Sequence, residues 1–183
     1  MPRYLFPKPY ADFVQRLRAP GGFALVAAFA YWSEPTLTSL TIGVSLAIGG
    51  LVLRGWAAGH LSKNQRLATS GPYAFTRNPL YMGTLLVAAG LAIASRQVGL
   101  AVLFAVAFGL IYLPAIELEE QHLRKLFPDY EEYARHVPRL GFRLPEQRAG
   151  QSFQFALYRK NEEYKAAAGF LGGVALLVWK IMR

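Results

Sequence analysis

The chain contains no cysteine. That excludes disulfides, thiolate metal sites and a cysteine nucleophile, and it leaves the redox compartment open. Charge is scarce too: Asp, Glu, Lys and Arg make up 17% of the residues, against roughly a quarter in a soluble domain. Acidic residues are the scarcer sign, 11 against 20 Lys and Arg, for a formal net charge of +9. Met1 to Arg18 lacks an apolar h-region, because Pro2, Pro7, Pro9, Asp12 and Gln15 interrupt it, so no cleavable signal peptide is expected. Strand signals are nearly absent, and no G-x-G-x-x-G follows a strand, which excludes a soluble-type dinucleotide fold. No metal is expected either, since no His, Asp or Glu grouping has credible ligand spacing.

What the chain does have is apolar length. Hydrophobic residues reach 54% of 183 residues, enough for one compact bundle of membrane helices. Five apolar runs stand out, at about 17–33, 36–56, 79–95, 97–116 and 166–182. A bilayer core of ~30 Å needs about 20 helical residues, which the second and fourth runs supply. The other three are marginal and rely on little tilt or on flanking Lys and Arg. The expected fold is therefore all-α, a polytopic membrane helix bundle with about five transmembrane helices, forming a single domain over 1–183. The polar segments 57–78 and 117–165 lie between the spans.

The basic residues fall between the apolar runs, where anionic lipid and the positive-inside rule explain them better than nucleic acid does. With the N-terminus inside, 17 of the 20 Lys and Arg are cytoplasmic, and only Arg96, Lys180 and Arg183 fall outside. That bias sets the orientation: a multi-pass membrane protein whose N-terminus and both polar segments face the cytoplasm. Spans one and two, and spans three and four, are joined by short turns and read as helical hairpins. Gly55 to Gly59 and Gly169 to Gly173 each hold a G-x-x-x-G spacing, which serves close packing within the bundle or a homodimer seam.

Two groups of residues on the cytoplasmic side can carry chemistry. In the first, Gly71-Pro72-Tyr73 leads through Arg77 and Asn78 to Pro79, which suits the first turn of a helix. The N–H groups of that helix start, with Arg77 beside them, can hold a carboxylate. Tyr81 and Gly83 follow, and Gly83 lets a flat ligand approach. The alternative is an Arg and a Tyr anchoring a helix at the lipid interface. The second group is Glu117-Leu118-Glu119-Glu120 at the end of the fourth span, where the helix dipole gives carboxylates no help. If that helix continues, Glu117 and Glu120 share a face. These acids could meet a sulfonium, an amine head group, a ribose hydroxyl or Arg77, or form a solvated face. Because spans three and four form a hairpin, the two groups look like two walls of one pocket. His60 and His122 are candidate bases beside it, though each reads more readily as an interfacial or structural histidine, and His136 reads as surface.

Gly71 to Gly83 resembles the G-x-Y-x-x-x-R-[HN]-P-x-Y-x-G signature of the isoprenylcysteine carboxyl methyltransferase and phospholipid methyltransferase family. Glu119-Glu120-x-x-Leu123-x-x-x-Phe127, with Tyr130, Tyr133 and Val137-Pro138-Arg139, resembles the second half of that pattern. The resemblance implies S-adenosylmethionine as cofactor, bound in a cytoplasm-facing pocket, with a lipophilic acceptor or membrane lipid entering from the bilayer. It places Lys63, Leu67, Tyr73, Asn78, Pro79, Tyr81 and Gly83 around the cofactor, completed by Arg77 and by Glu117, Glu119 and Glu120. Arg77, Glu117 and Glu120 are the catalytic candidates. Three departures stand out. Asn78 replaces the more usual His, Phe127-Pro128-Asp129-Tyr130 is one residue short, and Leu113 stands where prenylcysteine enzymes place an acceptor-binding Arg. The acceptor is thus an isoprenylcysteine-type carboxylate or a lipid head group, with Leu113 counting against the former. Two other readings share these features: an NADPH-dependent membrane reductase of the sterol type, which carries a similar R-x-P-x-Y signature, and a non-enzymatic membrane protein of the same fold.

Overall fold

The computed structural model describes residues 6–144 and 151–183. Met1 and Pro2, and Arg3 and Arg148 among the 17 basic residues counted above, lie outside the described residues. Within them the protein is all-helical, an all-α membrane protein as its apolar runs require. Three helices are long and apolar enough to cross a bilayer: Leu37–Ala58, the rod Val98–Leu126, and Tyr164–Met182. Two shorter apolar stretches, Pro20–Trp32 and Pro79–Ser95, make up the five runs of the sequence.

Helix α1 spans Lys8–Trp32. It begins well before the expected start near Leu17 and runs through Pro20, which lacks the N–H that would bond one turn back. Helix α2, Leu37–Ala58, opens with a capping box in which Thr36 and Ser39 each satisfy the other's backbone N–H. Helix α3 is Pro79–Ser95. Its C-cap, Arg96, takes a left-handed conformation with φ 57°, turning the chain into α4, Val98–Ala107. A π-helical turn, Phe108–Tyr112, then joins α4 to α5, Leu113–Leu126, so the fourth run continues well past Ile116. Short α6, Tyr130–His136, follows a break at Phe127-Pro128, and α7, Phe155–Lys160, leads into α8, Tyr164–Met182.

The tightest seam joins α2 to α3, and small residues build it. A Cβ added to Gly50 would sit 2.6 Å from the Gly83 carbonyl oxygen, and one on Gly83 would sit 2.7 Å from that of Gly50. One heptad along, Gly43 and Gly90 oppose each other more closely still, flanked by Ala47 and Ala94, both fully buried. Backbones in such contact gain dispersion and weak C–H···O bonding where side chains would hold them apart. The expected G-x-x-x-G pairs are elsewhere. Gly59 receives the Phe153 ring, while a Cβ on Gly169 or Gly172 would meet open space. The seam therefore repeats every seven residues rather than every four, the two antiparallel helices meeting once every two turns.

At the end of the bundle remote from the polar segments, Phe29, Leu40, Ala94, Leu100 and Leu177 form a common core drawn from α1, α2, α3, α4 and α8. Lys180 reaches back there to the carbonyls of Tyr31 and Ser33, giving the carbonyls at the end of α1 a cationic partner.

Candidate functional site

At the opposite end, the residues flagged by both sequence motifs converge. The chain leaves α2 through a loop at 59–70, makes a 3-10 turn at Gly71–Ala74, and enters α3 at Pro79. His60, buried in this loop, bonds Ser70 through Nδ1 at 3.1 Å and packs edge-on against Trp56 and Phe153. Burial holds its pKa below the usual imidazole value, so it serves as a neutral pin for the loop. It lines neither of the two cavities at this end, and its bond to Ser70 and its ring contacts give it a structural place.

Glu120 is the hub of the site, with 1% of its surface exposed. One carboxylate oxygen accepts from Asn78 Nδ2 at 3.2 Å and pairs with Arg77 Nε at 3.2 Å. The other pairs with Arg139 through Nε and Nη2, both at 2.9 Å. Each partner is itself fixed to backbone. Arg77 donates its N–H to Pro138 O at 2.9 Å and its Nη1 to Ala134 O at 3.2 Å, and Asn78 Nδ2 also reaches Arg139 O at 3.0 Å. One buried carboxylate thus ties the start of α3, the middle of α5 and the segment after α6 into one unit. Such a charge is tolerated only because several hydrogen bonds and opposite charges surround it.

Tyrosines frame the same unit. Tyr133 donates to Tyr73 O at 2.7 Å, joining α6 to the 3-10 turn, and Tyr130 is 1% exposed between Tyr133 and Arg124. Burial pushes the Tyr73, Tyr130 and Tyr133 phenols well above the ordinary value. The neighbouring charges of Glu119 at Tyr73 and Glu120 at Tyr130, and the Tyr130 phenol at Tyr133, add to it. All three remain protonated donors throughout the physiological range.

In front of this unit lies a cavity of about 190 Å3. Lys63, Leu67, Tyr73, Arg77, Asn78, Pro79, Tyr81 and Glu119 all line it, so both motifs reach one space although some 40 residues separate them. Three expected site residues do not line it. Gly83 faces α2, where its missing side chain admits the Gly50 backbone and Arg54 rather than a ligand. Glu117 is buried, and Glu120 sits behind the wall with both oxygens engaged. Sequence spacing could not separate Glu117 and Glu120 from Glu119, since all three lie within one turn of α5. Tyr81 donates to Glu119 at 3.0 Å. Asn78, spent on Glu120, leaves the first turn of α3 without a side-chain cap, so the positive end of the helix opens on the cavity. Opposite, the 61–68 loop closes over α5, where Asn64, at φ 58°, meets His122 Nε2 at 3.1 Å.

A second cavity, about 390 Å3, shares Leu61, Lys63, Leu80, Tyr81 and Glu119 with the first and adds Arg54, Thr84, Tyr112, Asn161 and Glu163. Arg54 and Glu163 form a two-point ion pair, Nε to Oε1 at 2.5 Å and Nη2 to Oε2 at 3.0 Å. Arg54 Nη1 donates to Thr84 and, at 3.3 Å, to Leu80 O. This pair escaped the sequence reading. The usable signals were a lone Arg at the end of an apolar span and the acidic pair Glu162-Glu163 just before the last one. Among the described residues, no three His, Asp or Glu side chains gather as metal ligands would.

Comparison with known proteins finds relatives over most of the chain. The phospholipid methyltransferase family model matches residues 36–130, from the start of α2 to the start of α6. Among curated proteins, a cobalt-zinc-cadmium resistance protein of Cupriavidus metallidurans is 36% identical over 152 residues, 81% of this chain and 64% of that protein. A nickel-cobalt-cadmium resistance protein of Alcaligenes xylosoxydans xylosoxydans is 30% identical over 161 residues, 85% of this chain and 70% of the relative. The protein-S-isoprenylcysteine O-methyltransferase of Schizosaccharomyces pombe is 28% identical over 137 residues, 72% of this chain and 58% of the enzyme. The chain thus spans less than two thirds of the first of these relatives. No solved structure matches.

Proposed function

We propose, starting from the fact that this chain belongs to the phospholipid methyltransferase family, that it transfers a methyl group from S-adenosylmethionine to a lipophilic acceptor at the cytoplasmic face of a membrane. The observation that carries this reading is the first cavity, where an uncapped, positive helix end, a lysine and a carboxylate face one space. That donor set fits a zwitterionic amino acid moiety. Lys63 and the N-terminus of α3 suit a carboxylate, Glu119 suits an ammonium, and Leu67, Tyr73 and Leu123 give apolar cover to a flat ring. S-adenosylmethionine supplies an electrophilic methyl group on a sulfonium.

The chain's contribution is positional. With the donor held by Lys63, Glu119 and the start of α3, its sulfonium would supply a methyl group open to in-line displacement by an acceptor lone pair, the electrons of the broken carbon–sulfur bond staying with sulfur. Such an in-line displacement gains chiefly from orientation and exclusion of water. Arg77 and Glu120 act here as positioning residues, since their mutual bonds fix the helix start that receives the carboxylate. Glu119 is free to take a proton where the acceptor is an amine, thiol or hydroxyl. The first cavity is smaller than the ~300 Å3 at which small-molecule sites usually begin, but it adjoins the second along Tyr81 and Glu119. The excess of basic residues on the loops at this end supports a cytoplasmic orientation.

The test is thermal unfolding of the detergent-purified protein with S-adenosylhomocysteine and, separately, with NADPH. A ligand at ~100 times its Kd stabilises by about 2.7 kcal/mol. A shift with S-adenosylhomocysteine that Glu119→Gln abolishes supports the proposal. A shift with NADPH alone replaces it with a reductase, and no shift with either points to a non-enzymatic protein of the same fold.

A further inference from the structure

The second cavity touches the first along the Tyr81–Glu119 hydrogen bond, so a molecule held there meets whatever the first cavity holds. Its far wall carries Tyr112, and the position of Tyr112 is unusual. Leu113 N–H bonds back five residues to Phe108 O, and one such wide turn shifts every later residue by about 100° around the helix axis. Pro114 contributes to the cause, because it has no N–H for the Leu110 carbonyl one turn earlier. Tyr10 of α1 fills that vacancy, donating to Leu110 O at 2.8 Å. The wide turn thus sets the phase between the apolar rod of α4 and the acid-bearing α5. It leaves Tyr112 edge-on to Tyr81, with ring centroids 6.2 Å apart and planes at 78°.

Charge narrows what the chamber takes. Arg54 spends its donors on Glu163, Thr84 and Leu80 O, so it offers no free guanidinium to an anionic head group. Glu119, exposed on the shared wall, has no basic partner within ion-pairing distance among the described residues, and Lys63, the other charge on that wall, is the cation that the proposed function gives to the carboxylate of the methyl donor.

We propose that this second cavity is the acceptor chamber and that Tyr112, placed by the π-helical turn, sets the bulk of the acceptor it admits. The acceptor class is a lipophilic molecule with an uncharged or cationic head; an anionic head would face Glu119 with Arg54 already matched. The inference rests on the methyltransferase reading.

The absence of cysteine makes the test direct. Thr84→Cys places a single thiol on the chamber wall, and Leu80→Cys is the substitute if that variant melts below the wild type. Reconstituted in phosphatidylcholine vesicles, the thiol is labelled by N-dodecylmaleimide. Adding Tyr112→Ala speeds labelling about tenfold, whereas Tyr112→Phe leaves the rate unchanged, because ring bulk rather than the hydroxyl guards the space. Dodecylamine slows labelling more than dodecanoate does. No labelling, equal rates with Tyr112→Ala, or stronger protection by dodecanoate overturns the proposal. Failure of the underlying reading shows separately: if the wild type gives no S-adenosylhomocysteine shift, yet the thiol labels as described, the cavity is a lipid pocket but not an acceptor chamber.

Discussion

Replacing Glu120 by alanine removes a carboxylate that holds Asn78, Arg77 and Arg139 together. Its side chain is 2% exposed, that of Arg77 is 10% exposed and that of Arg139 is 30% exposed. The variant would therefore strand one deeply buried guanidinium and one partly solvated one. Breaking a buried pair from one side costs about 3–5 kcal/mol. For a chain of this size each kcal/mol moves the midpoint by about 2–4 °C, so Glu120→Ala should melt about 6–20 °C below the wild type in detergent. Glu120→Gln keeps a carbonyl for one donor but loses the charge, and it should fall between the two. Glu119→Gln, on the exposed side of the same helix turn, should melt close to the wild type while losing its response to S-adenosylhomocysteine. Differential scanning fluorimetry on the three variants gives the comparison. If Glu120→Ala melts within about 2 °C of the wild type, the carboxylate is not the tie described here, and its place in the family motif would reflect chemistry instead.

Two further outcomes follow from packing and titration. Gly90→Ala forces a methyl into the Gly43 backbone across the α2–α3 seam, and overpacking of this kind costs about 1–3 kcal/mol. Gly172→Ala, which meets open space, should be neutral or slightly stabilising, and a melting comparison of the two checks the seam. The pH profile of stability should be bounded on both sides. Tyr73, Tyr130 and Tyr133 hold raised pKa values in the folded state, so the unfolded chain loses these protons first and stability falls as pH rises above about 10. His60 holds a lowered one, so the unfolded chain takes up a proton first and stability falls as pH drops below about 6.5. Unfolding midpoints measured from pH 5 to 11 should show both limbs, with Tyr133→Phe softening the alkaline one.

The helical class, the five apolar runs and the meeting of the two motifs were all legible in the sequence. They depend on hydrophobic length and on a hairpin of two adjacent spans, both of which are local properties of the chain. Three things were not, and each depends on direction rather than on position along the chain. Glu117, Glu119 and Glu120 lie within one turn of α5, so spacing could not tell which acid faces the cavity and which faces Arg77 and Arg139. The phase of that turn is fixed by the π-helical segment upstream, whose cause, a proline with no N–H and a tyrosine supplied by α1, spans about 100 residues of sequence. The Gly83 of the motif reads as room for a ligand, yet its space is filled by the α2 backbone. A single motif thus mixes two kinds of constraint. Asn78 and Glu120 spend their bonds on each other and hold the frame, which leaves the start of α3 uncapped. Tyr81 and Glu119, one helix turn or one residue away from them, are left on the shared wall of the two cavities, where methyl donor and acceptor would meet.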